Sequence, residues 1–322
     1  MAELYASVDM GGTNIKAALA GPDGEVVAED SVPTDSHEGP EAVLRRIATL
    51  VTGLAGETGR QPAALGMGVP GLADLDRGVT RFLPNLETQW RDVPVRDTLE
   101  PEVGCPVYLL NDVRMATLGE LTFGHGQSAN TMAFFALGTG IGGGVVVDGK
   151  LRLGPLGAAG ELGHINILPD GPSCGCDSRG CLETLASAPA IAAEGVRLLL
   201  SGQTTKLYEI VGDDPARVTT RTMAQAAEAG DEKIREAIVR AATWLGLGIA
   251  CVVVTLHPDL IVLGGGAAGI GPLLFDTVRA TVRDRVRMVP TDDIRIEPSK
   301  LGPMAGTLGG IALAMKGGMT EG

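Results

Sequence analysis

The stretch LYASVDMGGTNIKAALA, residues 4–20, contains two short apolar runs joined by a turn of small residues. The first run ends at Asp9, and the second begins at Ile15. The turn Gly21 to Gly24 then leads into a third run, Glu25 to Ala28. Short β-like runs punctuated by glycine predict an antiparallel meander with a glycine loop at its first corner.

A similar layout returns in residues 132–151, MAFFALGTGIGGGVVVDGKL. An apolar run, a glycine-rich loop, a second apolar run and an Asp-Gly turn follow one another as before. A third glycine loop, Gly264 to Gly266, follows the apolar run at residues 260–263. The repeat favours two lobes that are built alike.

Amphipathic stretches between these runs are predicted to be helices, at Glu41 to Leu54, Met223 to Ala229 and Asp231 to Leu256. Strands and helices alternate, which predicts an α/β protein of two lobes with a cleft between them. We place a small lobe at 1–120 and a large lobe at 121–304. The last helix, within 305–322, is expected to pack back on the small lobe.

Composition excludes several classes of protein. Of the 322 residues, 44% are hydrophobic and 20% are charged, as in globular proteins. The net charge of -13 and the lack of a Lys/Arg cluster argue against a nucleic-acid partner. Two uncharged stretches, 128–147 and 241–258, are interpreted as buried core and not as membrane spans. Without a secretory signal at the N-terminus, we expect a cytoplasmic protein with no membrane partner.

The glycine loops are candidate phosphate sites. A lone GGT corner could be an ordinary hairpin turn, but three loops that each leave a strand end favour phosphate binding by turn amides and the Thr13 hydroxyl. A strand follows the first loop where a Walker motif would have a helix. Asp9, next to this loop, is placed to hold a water on Mg²⁺.

Asn111 and Asp112 stand between an apolar strand and a helix. One interpretation is that Asp112 is only the N-cap of that helix. The other is catalytic, because open α/β folds place their sites at the carboxyl ends of strands, and a hydroxyl that attacks ATP needs one proton acceptor.

The segment from Glu161 to Glu183 contains the most specific signal. One histidine and three cysteines form a closed ligand set suited to structural Zn²⁺. These are His164, Cys174, Cys176 and Cys181. Three buried free thiols are the alternative, which fits a Gly-rich loop poorly. The two glutamates bracket the ligand set and, fixed by it, would be rigid acceptors for sugar hydroxyls.

Together these segments resemble the ROK family, whose kinases and repressors share the fold of sugar kinases, actin and heat-shock ATPases. The likeness is greatest to the ROK glucokinases, and it runs nearly end to end. The segments that carry it are DMGGTNIK at 9–16, GVPG at 68–71, PN at 84–85, ND at 111–112, LGTGIGGG at 137–144, GELGH at 160–164, the cysteine loop, and LIVLGGG at 260–266.

The resemblance implies an ATP- and Mg²⁺-dependent sugar kinase with Asp112 as the catalytic base and glucose as the expected substrate, phosphorylated on its 6-hydroxyl. The implied sugar-binding residues are Gly71, Asn85, Asn111, Asp112, Glu161, His164 and Glu183. The implied nucleotide-binding residues are Asp9, Gly11, Gly12, Thr13, Gly138, Thr139 and Gly265. His164 would ligate zinc through one ring nitrogen and face the sugar with the other. We expect a homodimer or a homotetramer.

The chain departs from the family pattern at three places. The family usually has Glu-Asn-Asp-Ala-Asn where residues 110–114 read LNDVR, so Arg114 introduces a cation near the helix start and could alter substrate choice. Asp177 replaces a frequent glycine, but aspartate tolerates turn conformations and leaves metal binding possible. The residues that follow Asn85 also differ, which leaves contacts beyond it open.

Other functions stay open at this stage. The sugar could be mannose, an amino sugar such as N-acetylmannosamine, or a sugar-like metabolite, and polyphosphate could replace ATP. The repressors of the family carry a helix-turn-helix region ahead of the first glycine motif, and here Asp9 stands close to the start of the chain, which favours a kinase. A non-catalytic sugar-binding module is disfavoured because the base and the phosphate loops are present.

Overall fold

The structure is a computed structural model that describes residues 3–83, 86–88 and 90–319. The strands in these ranges are β1 (Tyr5–Met10), β2 (Asn14–Ala20), β3 (Val26–Pro33), β4 (Leu65–Val69), β5 (Leu72–Asp74), β6 (Val79–Phe82), β7 (Val107–Asn111), β8 (Met132–Leu137), β9 (Ile141–Val147), β10 (Lys150–Leu151), β11 (Leu260–Gly264) and β12 (Arg295–Pro298).

The α-helices in the same ranges are α1 (Pro40–Thr58), α2 (Val95–Val103), α3 (Asp112–Phe123), α4 (Glu183–Ala186), α5 (Ala188–Leu200), α6 (Lys206–Val211), α7 (Thr220–Glu228), α8 (Glu232–Leu256), α9 (Pro272–Arg285) and α10 (Ala305–Met315). Short 3-10 helices lie at Ser36–Glu38, His125–Ser128, Pro155–Gly157, Leu162–His164, Pro215–Arg217, Gly266–Ile270 and Gly302–Met304. The predicted α/β class is confirmed, and the predicted helices correspond to α1, α7 and α8.

Two five-stranded sheets share one strand order, which is the structural form of the repeat in the sequence. The first has the order β3-β2-β1-β4-β7, and the second has β10-β9-β8-β11-β12. If the five strands of each sheet are numbered in chain order, their order across both sheets is 3-2-1-4-5. A small two-stranded sheet pairs β5 with β6.

Parallel pairing decides which loops come together. In the first sheet β1 runs parallel to β4, and β4 runs parallel to β7, with Asp9 opposite Gly68 and Val69 opposite Asn111. In the second sheet β8 and β11 are parallel, with Ala136 opposite Gly264. Each sheet therefore gathers its loops at the carboxyl ends of its parallel strands, the edge where open α/β folds bind ligands.

The described residues pack as two compact units. Unit 1 takes its residues from Met1–Asn130, Gly144–Gly160 and Ser299–Gly322, and unit 2 takes its residues from Thr131–Gly143 and Glu161–Pro298. The division that we predicted at residue 120 remains a prediction.

Within unit 1, helix α10 packs closely against α3 and the first sheet because glycines line the contact. A Cβ atom on Gly119 would lie 2.8 Å from the backbone nitrogen of Gly309, and one on Gly310 would lie 2.9 Å from the carbonyl oxygen of Gly66. Only glycine allows backbones to approach this closely.

Within unit 2, α8 is the main core helix. The Asp231 side chain caps its first turn by accepting a hydrogen bond from the Ile234 amide at 3.3 Å. Among the described residues, α8 is the helix that is long and apolar enough to span a membrane, yet 61% of its most apolar window is buried inside the protein. Buried core helices of soluble proteins pass the same test of length and composition.

Candidate active site

The first glycine loop, residues 11–13, joins β1 to β2 in unit 1. The Gly11 amide donates to the Asn14 carbonyl at 2.9 Å, which closes the turn. The buried side chain of Thr34 donates to the Gly11 carbonyl at 2.7 Å, and its amide donates to the Thr13 carbonyl at 2.8 Å. Gly12 and Thr13 are exposed, so the turn amides and the Thr13 hydroxyl can reach a phosphate.

Asp9 lies beside this loop and against the start of α10. A Cβ atom on Gly306 would lie 2.6 Å from Asp9 Oδ2, so glycine is needed there to leave room for the carboxylate. Burial of the carboxyl group raises the pKa of Asp9, and Lys16 opposes this shift. A partly desolvated carboxylate next to a phosphate loop suits a hydrated Mg²⁺ ion, whose charge would stabilise the ionised form.

The predicted base stands where β7 gives way to α3, also in unit 1. The N-cap of α3 is Asn111, whose Oδ1 accepts hydrogen bonds from the amides of Val113 and Arg114 at 3.1 and 3.2 Å. The interpretation of Asp112 as the cap is therefore wrong. Asp112 is the first helical residue, and its Oδ1 accepts hydrogen bonds from the Val113 amide and from Asn111 Nδ2, both at 2.9 Å.

Of the other implied sugar-binding residues in unit 1, Gly71 lies beside this junction. Its carbonyl oxygen accepts a hydrogen bond from Asn111 Nδ2 at 3.2 Å. Asn85 falls outside the residues that the structure describes.

The second and third glycine loops meet within unit 2. A Cβ atom on Gly265, whose φ is +82°, would lie 2.5 Å from the carbonyl oxygen of Leu137, the last residue of β8. Gly265 thus combines a left-handed conformation with a close backbone approach, and each requires glycine. The structure therefore brings the predicted residues Gly138, Thr139 and Gly265 to one edge of the second sheet, as two neighbouring phosphate loops would require.

Glu183 connects the second glycine loop to the cysteine segment, both in unit 2. Its Oε2 accepts a hydrogen bond from the Ile141 amide at 2.9 Å, and its Oε1 lies 3.9 Å from Cys174 Sγ. A residue that the resemblance assigns to the sugar is thus held by a loop assigned to the nucleotide.

This contact leads to a prediction for Gly140→Ala. The new Cβ would overlap the Glu183 carboxylate, the far end of a flexible side chain, so the fold should accept the change while Glu183 leaves the Ile141 amide. We expect the KM for the sugar to rise by about tenfold, the cost of one lost charged hydrogen bond. Steady-state kinetics measures this, with Gly53→Ala as the control because a Cβ atom there meets nothing within 4 Å. An unchanged KM would contradict the proposed role of Glu183.

The four predicted metal ligands also come together in unit 2. The ligand atoms of His164, Cys174, Cys176 and Cys181 all lie within 4.8 Å of one another. Cys176 Sγ lies 3.7 Å from Cys181 Sγ, and Cys174 Sγ lies 3.6 Å from His164 Nδ1. Tetrahedral zinc with Zn–S bonds of about 2.3 Å places two sulfur ligands about 3.8 Å apart. The donor set and its spacing therefore fit a structural zinc ion.

The turn that carries two of these cysteines has the backbone that the sequence indicated. Asp177 has a φ of +66°, and its amide donates to the Cys174 carbonyl at 3.1 Å. Burial raises the pKa of the Cys181 thiol to about 12, so a bound metal would have to displace its proton.

His164 presents its two ring nitrogens to different neighbours. Nδ1 faces Cys174, as described above, and Nε2 lies 3.9 Å from Glu161 Oε2. This distance is an electrostatic contact and is too long for a hydrogen bond, so it leaves room for a sugar hydroxyl to reach Nε2. Glu161 and His164 are both partly exposed, which leaves them accessible to a ligand.

Two parts of this arrangement were missed in the sequence. Thr34 anchors the first loop from 21 residues beyond Thr13, and no local motif marks it. Ile141 contributes only its amide, which every residue except proline possesses. No sequence motif marks either residue as part of the site.

Comparison with known proteins identifies the family. The sequence model of the ROK family matches residues 5–317. The glucokinase of Halalkalibacterium halodurans is 35% identical over 313 residues, which are 95% of this chain and 93% of that protein. The xylose repressor of Caldicellulosiruptor bescii is 30% identical over 96% of this chain and 77% of its own length.

Among solved structures, a ROK family glucokinase from Streptomyces griseus in complex with glucose and AMPPNP superimposes with a TM-score of 0.84. It is 31% identical, and the match covers 97% of this chain and 99% of that one. The predicted fold class, that of sugar kinases, actin and heat-shock ATPases, is confirmed by this likeness. With the family match running almost end to end, the chain belongs to the ROK family.

Proposed function

We propose that this protein is an ATP-dependent glucokinase that transfers the γ-phosphoryl group of ATP to the 6-hydroxyl of glucose. The observation that carries the proposal is the position of Asp112 at the carboxyl end of β7 in a chain so similar to a kinase solved with glucose and an ATP analogue. A carboxylate at that edge suits a general base.

The chemistry divides among the residues as follows. The oxygen of the sugar 6-hydroxyl attacks the γ-phosphorus of ATP while Asp112 accepts the hydroxyl proton. The bond between the γ-phosphorus and the β,γ-bridging oxygen breaks, which releases ADP. We expect the amides of Gly12, Thr13, Thr139 and Gly265 to contact the phosphates. Gly11 and Gly138 shape their turns, because their own amides donate to the carbonyls of Asn14 and Gly140. Asp9 would hold Mg²⁺ through a water, and the ion would offset the negative charge of the phosphates.

The family resemblance assigns sugar binding to Gly71, Asn111 and Asp112, which belong to unit 1, and to Glu161, His164 and Glu183, which belong to unit 2. The proposed Zn²⁺ ligands are His164, Cys174, Cys176 and Cys181. The ion would orient the sugar-binding histidine and would take no part in the chemical step. We expect the protein to act in the cytoplasm, where ATP and free hexoses are available, and to assemble as a homodimer or homotetramer.

We expect glucose to have the highest kcat/KM of the common hexoses. A site lined by carboxylates and an imidazole leaves one of them unpaired when a sugar hydroxyl is inverted or missing. Once a bound sugar covers these groups, each one that is left unpaired costs roughly 1–3 kcal/mol, enough to separate glucose from galactose by one or two orders of magnitude.

A coupled assay of ADP release measures this across glucose, mannose, galactose, fructose and N-acetylmannosamine. If N-acetylmannosamine or another of these sugars exceeds glucose tenfold in kcat/KM, the kinase stands and the assignment to glucose fails. A parallel reaction with polyphosphate, followed by sugar phosphate formation, tests the donor. Saturable sugar binding without phosphate transfer would instead favour a sugar-responsive regulator like the xylose repressor.

A further inference from the structure

A buried guanidinium lies beside the predicted base. Arg114, in the first turn of α3, is only 2% exposed. Burying a cation is costly unless hydrogen bonds replace its water. Arg114 Nε donates to the Ala159 carbonyl at 3.0 Å, Nη2 donates to the Ala158 carbonyl at 3.3 Å, and Nη1 donates to Asn111 Oδ1 at 3.0 Å. All of these residues belong to unit 1.

The hydrogen bonds around Asn111 account for the whole capacity of its side chain. Oδ1 receives three donors, the Val113 and Arg114 amides and Arg114 Nη1. Nδ2 has two N–H groups, and it donates to Gly71 O and to Asp112 Oδ1. A carboxamide offers two donors and one oxygen with two lone pairs, so the three donors share the oxygen, and both ends are committed inside the protein.

The same contacts fix which way the carboxamide points. In the flipped orientation the NH₂ group would face two backbone amides and a guanidinium, while the oxygen would face the Asp112 carboxylate. Arg114 adds a charged donor to the oxygen side, which increases the cost of the flip.

We propose that Arg114 is a positioning residue for phosphoryl transfer, and that it acts through Asn111. It holds the carboxamide so that Nδ2–H fixes Oδ1 of Asp112. The proposal rests on the role of Asp112 as the base in the proposed function, and it gives Asn111 an orienting role in addition to the sugar contact that the family resemblance implies.

A hydrogen bond to the ionised form of a carboxyl group lowers its pKa. Without Arg114 the Asn111 amide is less firmly held, so the pKa of Asp112 should rise and the base should be less well aligned. In Arg114→Met we expect kcat for glucose to fall by about 10- to 100-fold, since small misplacement of a reacting group costs that much. The acid limb of the kcat–pH profile should move to higher pH, and KM for glucose should stay within about threefold.

Arg96→Met is the matched control. Arg96 also lies in unit 1 and also donates three hydrogen bonds, but all of them go to backbone carbonyls, those of Val107, Asp76 and Leu75 at 3.0, 2.7 and 2.8 Å. Its loss should lower the melting temperature and leave kcat and the pH profile unchanged. Arg114→Lys keeps the charge but loses the planar guanidinium. Its kcat–pH profile should shift in the same direction as that of Arg114→Met, but by less.

A double-mutant cycle tests whether Arg114 acts through Asn111. Asn111→Ala combined with Arg114→Met should have the same kcat as Asn111→Ala alone. Independent, multiplying losses would overturn the proposal, and so would a tenfold rise in KM for glucose with kcat unchanged. If the parent protein does not phosphorylate glucose, the proposed function is wrong. If the parent is active and the kcat–pH profile of Arg114→Met does not move, only the present inference is wrong. If Arg114→Met does not fold, Arg114→Lys and the Asn111→Ala profile give the same decision.

Discussion

Replacing Asp112 by asparagine is expected to lower kcat for glucose by roughly 10²- to 10⁴-fold, the range attributed to a general base. The change removes the proton acceptor and little else. Asp112 Oδ1 accepts from the Val113 amide and from Asn111 Nδ2, and an asparagine oxygen can accept both hydrogen bonds. The start of α3 should therefore keep its structure.

The kinetic signature separates loss of chemistry from loss of binding. The dissociation constant for glucose, from isothermal titration calorimetry, should stay within a few fold of the parent while single-turnover phosphorylation slows. Asp231→Asn serves as the control, because Asp231 also stands at a helix start, where it caps α8, and none of the predicted sites includes it. Turnover of Asp112→Asn within a few fold of the parent would remove Asp112 from the role of base.

The second large effect concerns the cysteine cluster. We expect one zinc ion per chain in the purified protein and its loss in Cys176→Ser. Because His164 Nδ1 and Cys174 Sγ lie 3.6 Å apart and Glu183 also approaches Cys174, losing the metal should release two predicted sugar contacts together. The KM for glucose should rise by about 10- to 100-fold, and the melting temperature should fall.

Elemental analysis with thermal unfolding and steady-state kinetics measures these changes. Cys251→Ser is the control, because Cys251 is an exposed cysteine on α8 outside the cluster, and this variant should keep both zinc and activity. A freshly purified parent without metal would defeat the prediction. Loss of zinc with unchanged KM would leave the ion a purely structural role, separate from the sugar.

The features that could be predicted from the sequence are those that depend on residues close together along the chain. The three glycine loops follow from strand and turn patterns, and the structure places two of them side by side in unit 2. The histidine and three cysteines could be predicted as one cluster because soft ligands at such short spacing have few other uses. The left-handed conformation of Asp177 also follows from the turn preference of aspartate.

Features that depend on packing between distant segments could not be predicted. Arg114 was predicted only as a cation near the start of a helix that could alter substrate choice, because nothing local shows that Ala158 and Ala159 supply carbonyl acceptors. Likewise, the Asn-Asp pair did not show which residue caps α3, since both are good N-caps. The structure assigns the cap to Asn111, and the role of Asp112 as the base remains a prediction.

The most direct test of the central proposal is the identity of the product. The protein is incubated with glucose, ATP and Mg²⁺, and the product is examined by phosphorus-31 NMR with correlation to the sugar protons. We expect a phosphomonoester coupled to the two protons on carbon 6, formed in equal amount to ADP. Phosphate attached to carbon 1 or to another ring position, or no sugar phosphate while ATP persists, would contradict the assignment.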